Sequence, residues 1–424
     1  MPIQRPISVL IPLLSVALAM GVTAPARAQL RGPPRSLPDV HVPRGGGMPA
    51  MPRVPVTLPA AATQHVDDPR HGHETPAVAR QSQIDILLRE EPRRVTVDPH
   101  GEPVLRGEFL ALGLSGEQLH AVQAQGFTAD SQASADATLG LDMVVLHDTR
   151  GRSEIEALQA LQQVAPKVTF AYQHLYLSAG GDNLRQGDAS ATGPSGATPR
   201  RVGLIDGGVN AADPALARAR IEQHGCMTAT VSRHGTAVAA RLVDGDPDTL
   251  YAADLWCADK VGGATSSLVE ALAWMARERV PVINISLVGP DNPVLARAVQ
   301  AMIARGHVLV SAVGNDGPAA PPLFPAAYPG VIGVSGVDEH DRVLPESGSG
   351  DQVAFCASGV AGRGSDALRG TSFAAPIVAR RVAQLLDAPR QGAAAQIVQR
   401  LATMARDLGP PGRDTRYGYG LLSP

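Results

Sequence analysis

VGLIDGG, residues 202–208, is an apolar run that ends in one acid and two glycines. No polar residue alternates within Val202 to Ile205, so the run reads as a strand buried on both faces. Asp206 then stands at the carboxyl end of that strand, and Gly207 and Gly208 let the chain turn away. Similar runs follow at Leu250 to Leu255, Val280 to Ile285, Val308 to Val313 and Val331 to Val334. Helical stretches accompany them near His234, over Ser267 to Arg277, over Val294 to Arg305 and over Ser372 to Leu386. This alternation predicts an α/β domain over residues 200–424, built on a doubly wound, mainly parallel sheet.

Sheets of this kind form their sites at the carboxyl ends of strands. Asp206 lies at one such end. Asn315, in SAVGNDG (residues 311–317), lies just past another, with Gly314 before it. His234 in RHGTAVA (233–239) and Ser372 in GTSFAAP (370–376) each open a helix-like run. A free helix N-terminus adds N–H donors and positive potential beside Ser372, and Pro376 is read as lying in the first turn of that helix. Taken singly, Asp206 is a turn residue, His234 a surface histidine and Ser372 an N-cap. Taken together, in this order, they supply an acid, a base and a nucleophile, with Asn315 and the Ser372 N–H as oxyanion donors. That set predicts acyl transfer from a peptide bond to Ser372 and then to water, with no cofactor. The strand at Val202 opens no Gly-x-Gly-x-x-Gly turn, which argues against a dinucleotide enzyme.

The rest of the chain of 424 residues fits an exported precursor. Arg5, the apolar stretch Ile7 to Val22 and the small-x-small site Ala26-Arg27-Ala28 read as a signal peptide over 1–28. Pro12 breaks the apolar stretch, which falls short of the ~20 residues a membrane span needs. No later segment reaches spanning length, so the mature protein is expected without a span, periplasmic or secreted. A net charge of -3 gives no reason for a nucleic-acid partner. Residues 29–82, rich in Pro, Gly, Arg and Ala, read as a disordered linker. Its His65, Asp67, Asp68, His71, His73 and Glu74 are taken as a solvated polar tract, and no metal is expected. Residues 100–177 read as a small α+β domain in the order strand, helix, strand, strand, helix, strand, a ferredoxin-like arrangement. Ser115-x-x-Gln118 and Ser153-x-x-Glu156 are its capping boxes. Residues 178–199 are small, polar and Gly-rich, a flexible connector open to proteolysis.

Over residues 200–423 the four motifs resemble those of the subtilisin-like serine peptidases. NISLVGP (284–290) resembles the family's substrate-binding strand, and YPGVIGV (328–334) another family segment. Residues 100–179 resemble the family's inhibitor-type propeptide. The resemblance implies that Asp206 orients His234, that His234 activates Ser372 and that Asn315 stabilises the oxyanion. It implies substrate contacts at Ser286, Leu287, Val288, Gly289, Gly314, Asp316, Gly370 and Thr371. It further implies a monomer acting on proteins or peptides, held latent by its own propeptide and cutting itself between Leu177 and Arg200, near Ser178-Ala179. The regions of Cys226 and Cys257 would be neighbouring strands, so a disulfide is expected there, leaving Cys356 a buried thiol.

The departures carry information. Ala237 stands where the family often has His, one place past the motif's Thr. Many members have a long calcium-binding loop after the His helix; here the connection is only VDGDPDT (243–249), and Asp244, Asp246 and Asp248 read as a polar turn. Val288 stands where Gly is common, so a branched side chain would narrow the adjacent pocket, while Asp316 would mildly favour a basic side chain there.

Overall fold

Arg201–Asp206, the strand of the opening motif, lies inside a seven-stranded sheet in which every paired neighbour is parallel. Across the sheet the strands run Val353–Ser358, Ile332–Val337, Val308–Ala312, Val282–Ile285, Arg201–Asp206, Thr249–Asp254 and Arg220–His224. In the computed structural model the described residues are 76–130, 136–179, 199–226, 230–362 and 367–424. The signal-peptide reading of 1–28, residues 29–75 of the linker reading and residues 180–198 of the connector lie outside them.

Parallel strands need covered faces, and helices supply the cover. Arg233–Val243, Thr371–Ala383 and Ala393–Ala402 pack on one face with Val202, Leu204, Val282 and Val310. Thr265–Arg277 and Pro293–Ala304 pack on the other with Ile205, Ile283, Ile285 and Leu309. From Arg201–Asp206 the chain builds one wing of the sheet and then returns to start the other at Val282–Ile285. The crevice at this change of direction is where such sheets bind ligands. Among the described residues no helix is long and apolar enough to cross a membrane.

The preceding α+β region is antiparallel, with Thr169–His174, Pro103–Leu112, Met143–Asp148 and Phe127–Ala129 side by side. Both capping boxes form, at Ser115 with Gln118 and at Ser153 with Glu156. The region also holds three elements not read from sequence: a strand Val95–Val97, a short helix Asp136–Leu139 and a helix Pro76–Glu90. The last overlaps the end of the stretch read as linker over 29–82. Its sequence shows little amphipathic period, but Ile84 is buried, and Leu87 and Leu88 join a cluster with Leu175, Val261 and Ala264.

This region rests on the N-terminal ends of two helices of the α/β domain. The helix Thr265–Arg277 has no side-chain cap of its own at Ala264. Gln173 takes that place: its Oε1 accepts from the Ser266 N–H (3.1 Å) and its Nε2 donates to Ser266 Oγ (2.8 Å). Asn292 Oδ1 caps Pro293–Ala304 by accepting from Val294 N (3.0 Å), which turns Nδ2 toward Tyr172 O (3.0 Å) and His174 Nδ1 (3.0 Å).

The VDGDPDT segment is a turn, but two of its three acids are shut off from solvent. Asp246 and Asp248 are fully buried, and Arg200 pairs with both. Arg380, from the helix Thr371–Ala383, pairs with Asp244 and Asp246 (3.1 Å to the latter). Two guanidinium groups thus pair with the three acids whose spacing invites a calcium reading.

Cys226 and Cys257 form a disulfide joining the ends of the edge strand Arg220–His224 and its neighbour Thr249–Asp254. That neighbour also pairs Asp254 with Asp206, so the bond staples the sheet edge one strand away from the acid. Closing a 31-residue separation restricts the unfolded chain, and its loss costs about 2–4 kcal/mol on the loop-entropy model. A Cys226→Ser/Cys257→Ser protein is expected to unfold at a correspondingly lower urea midpoint, with a steeper slope because the unlinked chain exposes more surface when unfolded. Cys356 is free and buried, and burial pushes its thiol up to about 12, which leaves it unreactive.

Candidate active site

Asp206 is the last residue of its strand and is buried. Its Oδ1 accepts from the Gly207 N–H (2.6 Å) and from His234 Nδ1 (2.9 Å). A carboxylate can only accept, so this contact fixes the imidazole with its proton on Nδ1 and Nε2 as the base. His234 is the second residue of Arg233–Val243, a helix capped by Ser232, whose Oγ accepts from Gly235 N (3.1 Å). Gly235 is required by this docking: a Cβ there would lie 2.3 Å from Gly207 O. Helix cap and strand end are thus pressed together, and the acid–base pair is locked between them.

Ser372 is the second residue of Thr371–Ala383 and is fully buried. The following side chain, Phe373, stands 5.3 Å from the His234 ring, which brings the start of this helix beside the base. Pro376 lies at the sixth position of the helix, past the first turn where the sequence reading put it. It has no N–H to give the carbonyl four residues earlier, which is that of Ser372. Ser286 Oγ donates to this carbonyl instead (3.3 Å) while accepting from Asn284 Nδ2 (2.8 Å). The proline therefore leaves an acceptor open at the backbone of Ser372, and a residue of the NISLVGP motif fills it.

Asn315 is oriented by the same turn. Its Oδ1 accepts from Thr371 N (2.9 Å) and Thr371 Oγ1 (3.1 Å), while Thr371 Oγ1 also accepts from Gly314 N (3.2 Å). With Oδ1 occupied, Nδ2 is the group left to face the cleft. It lies 2.8 Å from where a Cβ of Gly370 would stand, and Ala179 O lies 3.3 Å from that same point. Gly370 has φ +141°, so both the conformation and the space exclude a side chain.

The cleft is occupied by the chain itself. Leu177–Ser178 pairs antiparallel with Leu287–Val288, matching Leu177 to Val288 and Ser178 to Leu287. Ala179 N donates to Ser286 O (3.1 Å), and Tyr176 N donates to Gly263 O (2.8 Å) on the opposite rim. The Tyr176 ring is fully buried against Gly289, and its hydroxyl donates to Pro290 O (2.8 Å). Gly289 exchanges two backbone hydrogen bonds with Phe324 (2.9 Å each).

Asp206, His234, Ser372, Asn315 and the residues expected to contact substrate fall along this one cleft, while Cys226 and Cys257 sit at the sheet edge. Asp316 lies 3.8 Å from Arg80 of the N-terminal helix; burial pushes its carboxyl above the ordinary range, against the pull of that guanidinium. The sequence reading missed Arg80, Tyr176, Gly263 and Phe324. These come from four distant segments, and their role exists only as pairing across the cleft, which local pattern does not encode.

Comparison with known proteins places the chain in a family. The family model described as the subtilase family matches residues 201–420, about half of the chain. Minor extracellular protease Epr of Bacillus subtilis (strain 168) is 33% identical over 171 residues, covering 38% of this chain and 26% of that protein. Subtilisin DY of Bacillus licheniformis is 30% identical over 263 residues, covering 57% of this chain and 94% of that protein. Among solved structures, fervidolysin from Fervidobacterium pennivorans, a keratinolytic enzyme related to subtilisin, superposes with a TM-score of 0.62 at 18% identity. It covers 78% of this chain and 61% of that one, a likeness of fold.

Proposed function

Because the chain belongs to the subtilase family, we propose that it is an exported serine endopeptidase, made as a precursor that cuts itself behind Ala179. One observation carries this reading. The tail Tyr176–Ala179 lies as an added strand between the two rims of the cleft, with the Ala179 carbonyl beside Gly370 and the Asn315 amide. In this reading Ser372 Oγ attacks the carbon of that carbonyl. His234 Nε2 takes the hydroxyl proton, and the imidazolium that forms is stabilised by Asp206. The tetrahedral oxyanion is bound by Asn315 Nδ2 and the Ser372 N–H. His234 then protonates the departing amine of residue 180, and water, activated by the same base, releases the acyl group. The leader reading of residues 1–28 and the likeness to the minor extracellular protease Epr support export.

Fluorophosphonate labelling tests the reading. The purified wild type is expected to take up the probe at Ser372 and to lose the segment before about residue 200 on incubation. A folded protein that neither labels nor shortens would leave a binding protein in its place.

The cut segment would remain as an inhibitor, since its contacts do not depend on the broken bond. Arg94 makes two hydrogen bonds to Asp259 (2.9 and 2.7 Å), and Lys260 pairs with Glu90 (2.6 Å). Both pairs are exposed and contribute modestly. An Arg94→Ala precursor is expected to process normally and then gain activity about two- to fivefold sooner. The difference should shrink as salt screens the pair. Time courses of peptide hydrolysis at low and high salt check this.

A further inference from the structure

We infer that this peptidase cleaves after small side chains, of the alanine class, and that Val288 is the residue that sets this limit; the inference rests on reading the tail as a bound product. Ala179 then occupies the P1 position, the residue that donates the scissile carbonyl. Its methyl group belongs to one packed apolar cluster with Val288 and Leu323, and Ala179, Val288 and Leu323 are 3%, 2% and 7% exposed. Little room remains around it.

The pairing explains why these two side chains crowd P1. Gly289 and Phe324 face each other as an antiparallel bridge. Side chains alternate along a strand, so Val288 and Leu323 project from the face opposite to that of Gly289 and Phe324. Phe324 accordingly belongs to the cluster containing Tyr176, whereas Val288 and Leu323 belong with Ala179 to the cluster on the other side. On the other side, Leu323 lies against Gly314, where a Cβ would come within 2.7 Å of its Cδ1. The pocket beside Asn315 is therefore walled by two branched side chains. A benzyl or guanidinopropyl group at P1 would have to displace one of them from a packed core, at a cost comparable to other overpacking. In the precursor the Asp316 carboxylate lies 3.8 Å from Arg80, a residue that leaves with the N-terminal segment, so in the processed enzyme the Arg peptide below reads whether Asp316 favours a basic side chain.

The test is a set of peptides Tyr-Leu-Ser-X-p-nitroanilide, with X as Ala, Phe or Arg, given to the processed enzyme. The expected kcat/KM for Ala exceeds that for Phe and Arg by about 10- to 200-fold, the discrimination one tight apolar pocket gives. Val288→Gly is expected to raise the Phe/Ala ratio by at least about tenfold, and Val288→Ala by less. Ratios do not depend on the fraction of each variant that folds. A wild type that cleaves Phe or Arg as well as Ala overturns the inference while leaving the peptidase reading intact. A Phe/Ala ratio unmoved by both substitutions removes Val288 from the role. Enzyme that labels with neither fluorophosphonate nor cleaves any peptide overturns both readings together.

Discussion

Precursor carrying Ser372→Ala is expected to stay at full length under conditions in which the wild type loses its N-terminal segment. The side chain removed is the one hydroxyl at the start of Thr371–Ala383 that makes no hydrogen bond among the described residues; Thr371 Oγ1 is committed to Asn315 and Gly314. Removing the serine from subtilisin costs about 10⁶-fold, and the same loss here would turn processing within minutes into processing over years. Folding should survive, because the Ser372 Oγ makes no hydrogen bond among the described residues and the substitution deletes one atom. Intact mass of the purified protein over time reads the result. A variant cut at the wild-type rate would mean that another protease matures this chain, and self-processing would fall.

The second large effect is expected at Asn315. Asn315→Asp keeps an oxygen for the Thr371 N–H and so keeps the turn, but it replaces the Nδ2 donor with negative charge. Loss of one oxyanion donor costs about 10²–10³ in kcat, a factor known from the equivalent change in subtilisin. KM should move little, since the tail is bound through Ser286 O and Gly263 O rather than through Asn315. Steady-state kinetics on one peptide, with thermal melting as a check on folding, separate these outcomes. A fall in kcat below tenfold would take Asn315 out of the oxyanion site.

The centre of the fold was legible because its physics is local. Parallel strands covered on both faces must be apolar throughout, so VGLI, VINI and VLVSA stand out in the sequence. The site was legible because each reactive residue sits in its own short motif. What escaped was decided by tertiary contact. Val353–Ser358 is a short edge strand with a half-buried Ala354, and its place at the sheet edge comes only from pairing with Ile332–Val337. Ala393–Ala402 keeps a helical period in Ala393, Ala394, Ile397 and Leu401, but Gly392 stands at its cap, so no side chain announces its start. Pro76–Glu90 buries Ile84 and leans on Val261 and Ala264, some 170 residues away, for its stability. Pro376 was placed one turn too early, since its compensation comes from Ser286, which no local reading connects to it.

The arginine-filled corner at Asp244, Asp246 and Asp248 has a thermodynamic consequence. A corner closed by a dissociable ion is stabilised in proportion to the logarithm of that ion's concentration, so it loosens on dilution. Here the counter-charges are Arg200 and Arg380, which are covalently part of the chain. Their occupancy is one at any dilution, and no chelator can withdraw them. Arg200 also opens the peptidase domain, and its backbone N–H donates to Asp248 Oδ1 (2.9 Å). The domain's first residue is therefore anchored by contacts that need nothing from the surroundings, whichever bond in the preceding connector is cut.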